Sequence, residues 1–341
     1  MTVALDATYS LGEDLSGVGI YSREVLLGLA AGHPETRFHF CYRPHRYLRS
    51  WTEDLPPNAR RRWLGPGLVP RADLFHGLNQ RLPPGRLPRT VTTFHDLFVL
   101  TGEYSTPEFR ARFAAQARDA AARAEILIAV SEFTRSQIVS LLGVEPGRVR
   151  VVHHGVRPLA LLPVAREPII LHVGAIQKRK NIQRLVEAFE TVDSGWKLVL
   201  AGASGYGAAE ILARIERSPA RARIQITGYV SPDDLARWYS RASIFAFPSL
   251  DEGFGMPVVE AMAAGIPVIT SNRSSLPEVA GDAAILIEPE RTEALCEALR
   301  QLVGDEECRR QWSVRGHQRA QRFSWEKTVR ETWQVYQQLL G

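Results

Sequence analysis

The chain has 341 residues, of which 45% are hydrophobic and 23% charged, and it carries a net charge of +5. That length suits two domains of about 150 residues, each able to bury a core, and that composition excludes wholesale disorder and fibrous repeats. No apolar run reaches the length of a membrane-spanning helix, and three cysteines without a CxxC pair make neither a zinc finger nor a disulfide frame.

The opening segment, Met1-Thr-Val-Ala-Leu-Asp6, lacks the basic stretch, apolar core and cleavage site of a signal peptide, so a cytoplasmic protein is expected. Residues 1 to 165 hold 20 arginines against 15 acidic side chains, and the remainder is balanced. The excess suits a solvated surface, an anionic acceptor or an anionic membrane face, and it is too slight to require nucleic acid as a partner.

Along the chain, Ser16-Gly-Val-Gly19 precedes an amphipathic helix, and short β-branched runs then alternate with longer helical patterns. The runs are Phe38 to Tyr42, Thr90 to Phe94, Ile126 to Val130 and Val149 to His153, the signature of parallel βαβ units. Between them, Arg60-Arg-Arg-Trp63 with Trp51 nearby reads either as a solvated basic loop or as a grip on an anionic lipid carrier or membrane face. His76-Gly77 ends another short strand, and His95 ends the strand Thr90 to Phe94.

The pattern breaks at Arg157 to Pro168, where three prolines interrupt a stretch without periodicity. A second series follows, with strands at Ile169 to Val173, Lys197 to Ala201, Ile224 to Thr227, Ile244 to Phe247, Val268 to Thr270 and Ala284 to Ile287. The expected fold is therefore α/β, with doubly wound domains at residues 1 to 160 and 168 to 322 and a tail at 323 to 341. In that tail Trp325, Val329, Trp333, Tyr336 and Leu340 line one face of a helix. Ligands of such sheets bind outside the carboxyl ends of the strands, which directs attention to the loops there.

Two of those loops carry chemistry. After Ile169 to Val173, the run Gly174-Ala-Ile-Gln-Lys-Arg-Lys-Asn181 sets Arg179 and Lys180 beside a helix start, where a diphosphate would be stabilised. After Ile244 to Phe247 comes Glu252-Gly-Phe-Gly-Met-Pro-Val-Val-Glu260. Gly253, Gly255 and Pro257 forbid a helix through that interval, so Glu252 belongs to the loop. Pro257 suits the first helical position and places Glu260 in the first turn. Both carboxylates then face one ligand, and a polyhydroxylated one fits best. A complete GxGxxG, a P-loop and a metal-binding carboxylate or histidine cluster are all missing from the sequence.

The full run from Glu252 through Glu260-Ala-Met-Ala to Gly265 and Val268 closely resembles the donor-site motif of family 4 glycosyltransferases. The likeness extends through Ser16 to Tyr21, His95-Asp96, Ser131 to Thr134, Gly174 to Asn181 and Ser274 to Glu278, and the chain resembles a bacterial mannosyltransferase-type member. It implies the GT-B fold: two Rossmann-like domains facing a cleft, an N-terminal acceptor domain, a C-terminal nucleotide domain and a last helix crossing back to the first. It also implies transfer with retention from a nucleotide-diphosphate sugar, GDP-mannose favoured, to a glycan or lipid-linked acceptor in cell-surface polysaccharide or glycolipid synthesis; the missing metal-ligand clusters make the expected reaction metal-independent, and no cofactor is expected. A peripheral contact with the inner membrane face is compatible with it.

Carried over onto this sequence, the resemblance puts Glu252 near the anomeric centre, Glu260 on the nucleotide ribose, Arg179 and Lys180 on the diphosphate and His95 near the transferred sugar. Gly17, Gly19, Gly174, Gly253, Phe254, Gly255, Met256 and Pro257 complete the donor site, while His154 replaces a more usual asparagine. Two rivals remain at this stage: a glycoside hydrolase working with two carboxylates, and a carbohydrate-binding protein without catalysis.

Overall fold

The computed structural model describes every residue except Pro66, Gly67, Val69 and Pro158. The chain forms two compact units, Met1–Gly155 with Ser324–Gly341, and Val156–Phe323. Each is built on one parallel sheet.

In the first unit the strands are β1 (Thr2–Asp6), β2 (Arg37–Tyr42), β3 (Ala59–Trp63), β4 (Leu74–Gly77), β5 (Arg89–Phe94), β6 (Ile126–Ala129) and β7 (Val149–Val151), in the order β3-β2-β1-β4-β5-β6-β7. The second holds β8 (Glu167–Val173), β9 (Lys197–Ala201), β10 (Ile224–Gly228), β11 (Ala242–Phe247), β12 (Val268–Ser271) and β13 (Ile285–Ile287), ordered β10-β9-β8-β11-β12-β13. Every pairing is parallel. Both sheets reverse their winding beside their first strand, between β1 and β4 and between β8 and β11. Helices cover both faces of such a sheet, which is why β6 and the core of β8 are apolar at successive positions rather than at alternate ones. Ile126 to Ala129 and Ile170 to Leu171 are buried accordingly.

Two strands escape the sequence reading. β1 is a five-residue apolar run at the very start, too short to show a period. The Arg60 to Trp63 cluster is not a loop but part of the edge strand β3, paired on one side only, with β2. An edge strand can carry charge because its outer row faces water. Its arginines are partly tied down: the Arg61 Nε donates to the Ser50 carbonyl at 2.9 Å, and Arg60 donates to the Ala59 carbonyl at 3.0 Å. The break predicted at Arg157 to Pro168 includes Pro158, which lies outside the described residues; residues 159 to 166 form neither helix nor strand.

The helix Trp325–Leu340 belongs to the first unit and shares its core with the helix Gly17–Gly32. Trp333 stacks on His33 with ring centres 3.5 Å apart, and the Tyr336 hydroxyl lies 2.6 Å from His76 Nδ1. The helix is entered beside Gly155, where a Cβ would come within 2.6 Å of the Ser324 carbonyl carbon and would also strike the Trp325 backbone nitrogen. Backbone cannot yield as a side chain can. Gly155→Ala is therefore expected to cost about 1–3 kcal/mol through overpacking, read as a lower denaturant midpoint; an unchanged midpoint would mean that the helix entry is not fixed at this point.

Candidate active site

In the second unit the loops after β8 and β11 leave the sheet at its point of reversal, where a crevice opens above an α/β sheet. The β11 loop is strapped from both sides. The Leu250 N–H donates to the Arg179 carbonyl at 2.8 Å, and the Arg179 guanidinium donates to the Asp251 carbonyl. From the other side the Ser274 hydroxyl accepts from the Glu252 N–H at 3.0 Å, and the Ser275 hydroxyl donates to the Glu252 carbonyl at 2.8 Å. Gly255 closes the loop at φ 97°, and a Cβ there would meet the Leu276 side chain at 2.6 Å, so only glycine satisfies both conditions. With Gly255 as the left-handed cap, the helix Met256–Ala263 starts one residue earlier than expected. Pro257 takes its second position, and Glu260 falls in the second turn rather than the first.

These straps aim the Glu252 carboxylate at two cations. Its Oε1 lies 2.8 Å from Arg179 and 2.6 Å from Lys180, with all three side chains at most 10% exposed. Lys180 also sits 4.5 Å above the ring centre of Phe247, at the end of β11. Burial pushes the Glu252 carboxyl up, but the neighbouring Arg179 and Lys180 charges and their hydrogen bonds outweigh it and hold the pKa at about 2. Two cations thus meet at one carboxylate in a poorly solvated place, beside the buried Asp251. Gly174, at φ 149°, brings the β8 loop alongside: a Cβ there would lie 3.3 Å from Lys180 Cε. Gly202 packs so closely on Gly174 that a Cβ would overlap the Gly174 carbonyl, which makes the Gly202 turn a wall of this loop.

His172, one of the residues missed in the sequence, is fully buried in β8 beneath the cluster. Its Nδ1 donates to the Ala246 carbonyl at 3.0 Å, while its Nε2 has no hydrogen-bond partner among the described residues. Burial pushes its pKa down to about 4, so it is neutral at pH 7. A lone histidine inside the apolar run Ile169 to Val173 was the available signal. Tyr239 was missed as well: fully buried on the helix Pro232–Arg241, it donates its hydroxyl to Glu260 Oε2 at 2.8 Å and fixes that carboxylate. Burial pushes Glu260 up from the ordinary carboxylate range, partly offset by this hydrogen bond. Nothing local in the sequence links Tyr239 to Glu260, 21 residues on.

Phe254 is buried against Phe323, ring centres 5.6 Å apart, and Gly253 is buried beside it; Met256 and Pro257 are half-buried at the helix start. Lys178 turns away to pair with Glu210 at 2.7 Å, both well exposed. A cavity of about 430 Å³ lined by Arg166, Trp196, Pro267 and Arg309 opens at the amino ends of β8, β11 and β12, the wrong end of the sheet for this chemistry. Among the described residues, no group of three His, Cys, Asp or Glu is arranged to hold a metal.

The remaining predicted residues lie in the first unit. Ser16 caps the helix Gly17–Gly32 by accepting from the Gly19 N–H at 3.3 Å, and a Cβ on Gly19 would crowd the Tyr9 carbonyl at 2.8 Å. Glycine at 19 thus lets the helix start approach the loop after β1. His95, buried, has its Nε2 2.9 Å from the Leu78 carbonyl, which makes Nε2 the protonated nitrogen, and its Nδ1 3.3 Å from His154 Nε2. Burial pushes its pKa down to about 4 against the pull of the Leu78 carbonyl. Neutral at pH 7, His95 offers hydrogen bonds rather than charge.

Residues 160–319 match the model of glycosyl transferases group 1, and residues 18–158 match that of glycosyltransferase family 4. The chain is 33% identical over 284 residues to the O-antigen chain mannosyltransferase B of Escherichia coli, covering 78% of this chain and 74% of that one. It is 26% identical to the serotype-specific mannosyltransferase WbdA of the same organism, over 81% of this chain but 37% of that protein. Sucrose-phosphate synthase from Thermosynechococcus elongatus superposes with a TM-score of 0.79 over 99% of both chains at 23% identity, a likeness of fold.

Proposed function

The chain belongs to the family 4 glycosyltransferases and is a glycosyltransferase of GT-B fold, and we propose that it transfers mannose from GDP-mannose, with retention and without a metal ion or cofactor, to a glycan or lipid-linked acceptor of a surface polysaccharide. The observation that carries this reading is the buried cluster in which Arg179 and Lys180 both reach the Glu252 carboxylate. The likeness to E. coli mannosyltransferases of O-antigen synthesis supports the choice of sugar and acceptor class. Family membership disfavours both the hydrolase and the non-catalytic reading.

On donor binding, the diphosphate takes over the two cations. Glu252 is released to accept from hydroxyls of the sugar, and Glu260, steadied by Tyr239, accepts from the ribose. As the sugar–phosphate bond breaks, negative charge grows on the leaving oxygen, and Arg179 and Lys180 stabilise it where it forms. With its carboxylate engaged by sugar hydroxyls, Glu252 is assigned a binding role rather than that of a nucleophile, and retention follows from attack by the acceptor hydroxyl on the face the leaving group vacates, with the departing phosphate taking the proton. Two protein cations beside the diphosphate can supply the charge that a metal would.

The reaction is placed on the cytoplasmic side of the membrane, where nucleotide sugars are made. No helix among the described residues is long and apolar enough to cross a bilayer. A peripheral contact is proposed for the edge of the first unit at Leu48, Trp51 and Trp63, which are 80%, 64% and 42% exposed among Arg46, Arg49 and Arg62. The decisive assay offers GDP-mannose, UDP-glucose and ADP-glucose with a mannoside acceptor in EDTA. Transfer from GDP-mannose giving an α-linked product is expected. Loss of activity in EDTA that magnesium restores would overturn metal independence, and a β-linked product would overturn retention.

A further inference from the structure

One side chain at the opposite end of the second sheet is tied to both members of the pair Tyr239 and Glu260. Arg166 immediately precedes β8, at the amino end of the sheet, whereas the donor loops leave from its carboxyl end. It is an exposed residue, yet its guanidinium is committed to backbone. Its Nη1 donates to the Tyr239 carbonyl at 2.6 Å and to the Ala242 carbonyl at 2.8 Å, both at the end of the helix Pro232–Arg241. Its Nη2 donates to the Ala264 carbonyl, at the end of the helix Met256–Ala263.

These two helices carry the pair. The first contact holds the backbone of Tyr239 itself. The last holds Ala264, whose N–H donates to the Glu260 carbonyl at 2.9 Å. One planar fork thus spans both helix ends and sets the separation across which the Tyr239 hydroxyl meets Glu260 Oε2 at 2.8 Å. Carbonyls at a helix C-terminus lack partners within the helix, and the helix dipole favours a cation there, so an arginine suits both ends at once. Neighbouring ties reach the first helix only: the Leu162 N–H donates to the Ser240 hydroxyl at 2.8 Å, and Glu167 pairs with Arg241 at 2.5 Å. Of these ties, that of Arg166 crosses to the second helix.

We propose that Arg166 is a positioning residue for donor binding: by clamping the two helix ends it holds the Glu260 carboxylate, through Tyr239, in register with the ribose hydroxyls. The proposal rests on the assignment of Glu260 to the ribose and adds the device that fixes its place. Without the clamp, Tyr239 and Glu260 drift, and a carboxylate that must first be ordered binds a hydroxyl more weakly. Turnover at saturating donor is spared, because the ribose contact is the same in the bound donor and in the transition state. The fold is spared as well, since the cavity that Arg166 lines brings water to the carbonyls its removal leaves.

The test titrates the full chain calorimetrically with GDP and with 2′,3′-dideoxy-GDP, which lacks both ribose hydroxyls. The unsubstituted protein is expected to bind GDP about tenfold more tightly than the dideoxy nucleotide. In Arg166→Ala the gap closes to about twofold, because GDP weakens and the dideoxy nucleotide does not. Donor KM rises, and kcat stays within about twofold. A merely structural loss would weaken both nucleotides alike and leave the gap. Arg166→Lys guards against misfolding: its ammonium keeps a cation at the helix ends but cannot span both, and the same closed gap is expected. A gap that persists in either folded variant would overturn the clamp. A chain that shows no gap before substitution would strike the ribose assignment, and one that does not bind GDP would strike the choice of donor. The proposal falls with either, and both are read on the unsubstituted protein.

Discussion

Replacing Lys180 by alanine is expected to lower turnover at saturating donor by about 10²–10³-fold while the chain stays folded. Arg179 also straps the Asp251 carbonyl, which makes Lys180 the more informative of the two cations to remove. Its ammonium pairs with Glu252 at 2.6 Å and rests over Phe247, and its removal leaves Glu252 still paired with Arg179 at 2.8 Å. The charge of the pair then balances, so the fold is spared an unpaired buried carboxylate, the usual source of large destabilisation. What disappears is one of the two cations that stabilise the leaving diphosphate.

Arg179→Ala is the less informative experiment, because the guanidinium also straps the Asp251 carbonyl and its loss loosens the Glu252 loop. For Lys180 the deficit belongs in turnover more than in donor KM, since the charge it meets is larger in the transition state than in the bound donor. Near-normal turnover for Lys180→Ala, with the thermal midpoint intact, would remove Lys180 from the mechanism.

The parts of this site that could be read from the sequence are those within one loop. Gly253, Gly255 and Pro257 dictate a turn between Glu252 and Glu260 whatever surrounds them, because glycine freedom and the missing proline N–H act locally. Arg179 and Lys180 could be placed beside a helix start because a strand, a short loop and a helix fix their position. The tertiary partners were not legible. Tyr239 reaches Glu260 only because β11 returns the chain across the helix that carries it, and Ser274 and Ser275 reach the Glu252 backbone only because β12 lies beside β11. The edge strand β3 was hidden for another reason: period and apolarity report burial, and an arginine-rich strand paired on one side has little of either.

Acid should unfold this protein well before its carboxylates titrate, and the cause is four buried histidines. Burial pushes His76 down to about 3, helped by nearby His95, and pushes His95 and His172 to about 4; His154 is driven well below the ordinary value of 6.5 by burial and by its neighbours His95 and His153. Each group's folded pKa is depressed below its unfolded value, so the unfolded chain takes up protons that the folded chain refuses. Stability is therefore complete above about pH 6.5 and declines as the pH falls toward 4. Between those limits each histidine contributes a slope of about 1.4 kcal/mol per pH unit. Four acting together reach about 5–6 kcal/mol per unit at full slope, comparable with the whole stability of a typical domain. Glu252 adds to the loss lower down, because its contribution, present above its unfolded value of 4.5, disappears as the pH falls toward about 2. Three of the four histidines lie in the first unit, which should consequently fail first. Urea midpoints at pH 7.5, 6.0 and 5.0 test this: a steep fall is expected, reduced by about one proton's worth in His76→Gln. A flat profile over that range would mean that the histidines are hydrated in solution, and would remove burial as the reason His95 and His172 are neutral at the pH where the enzyme works.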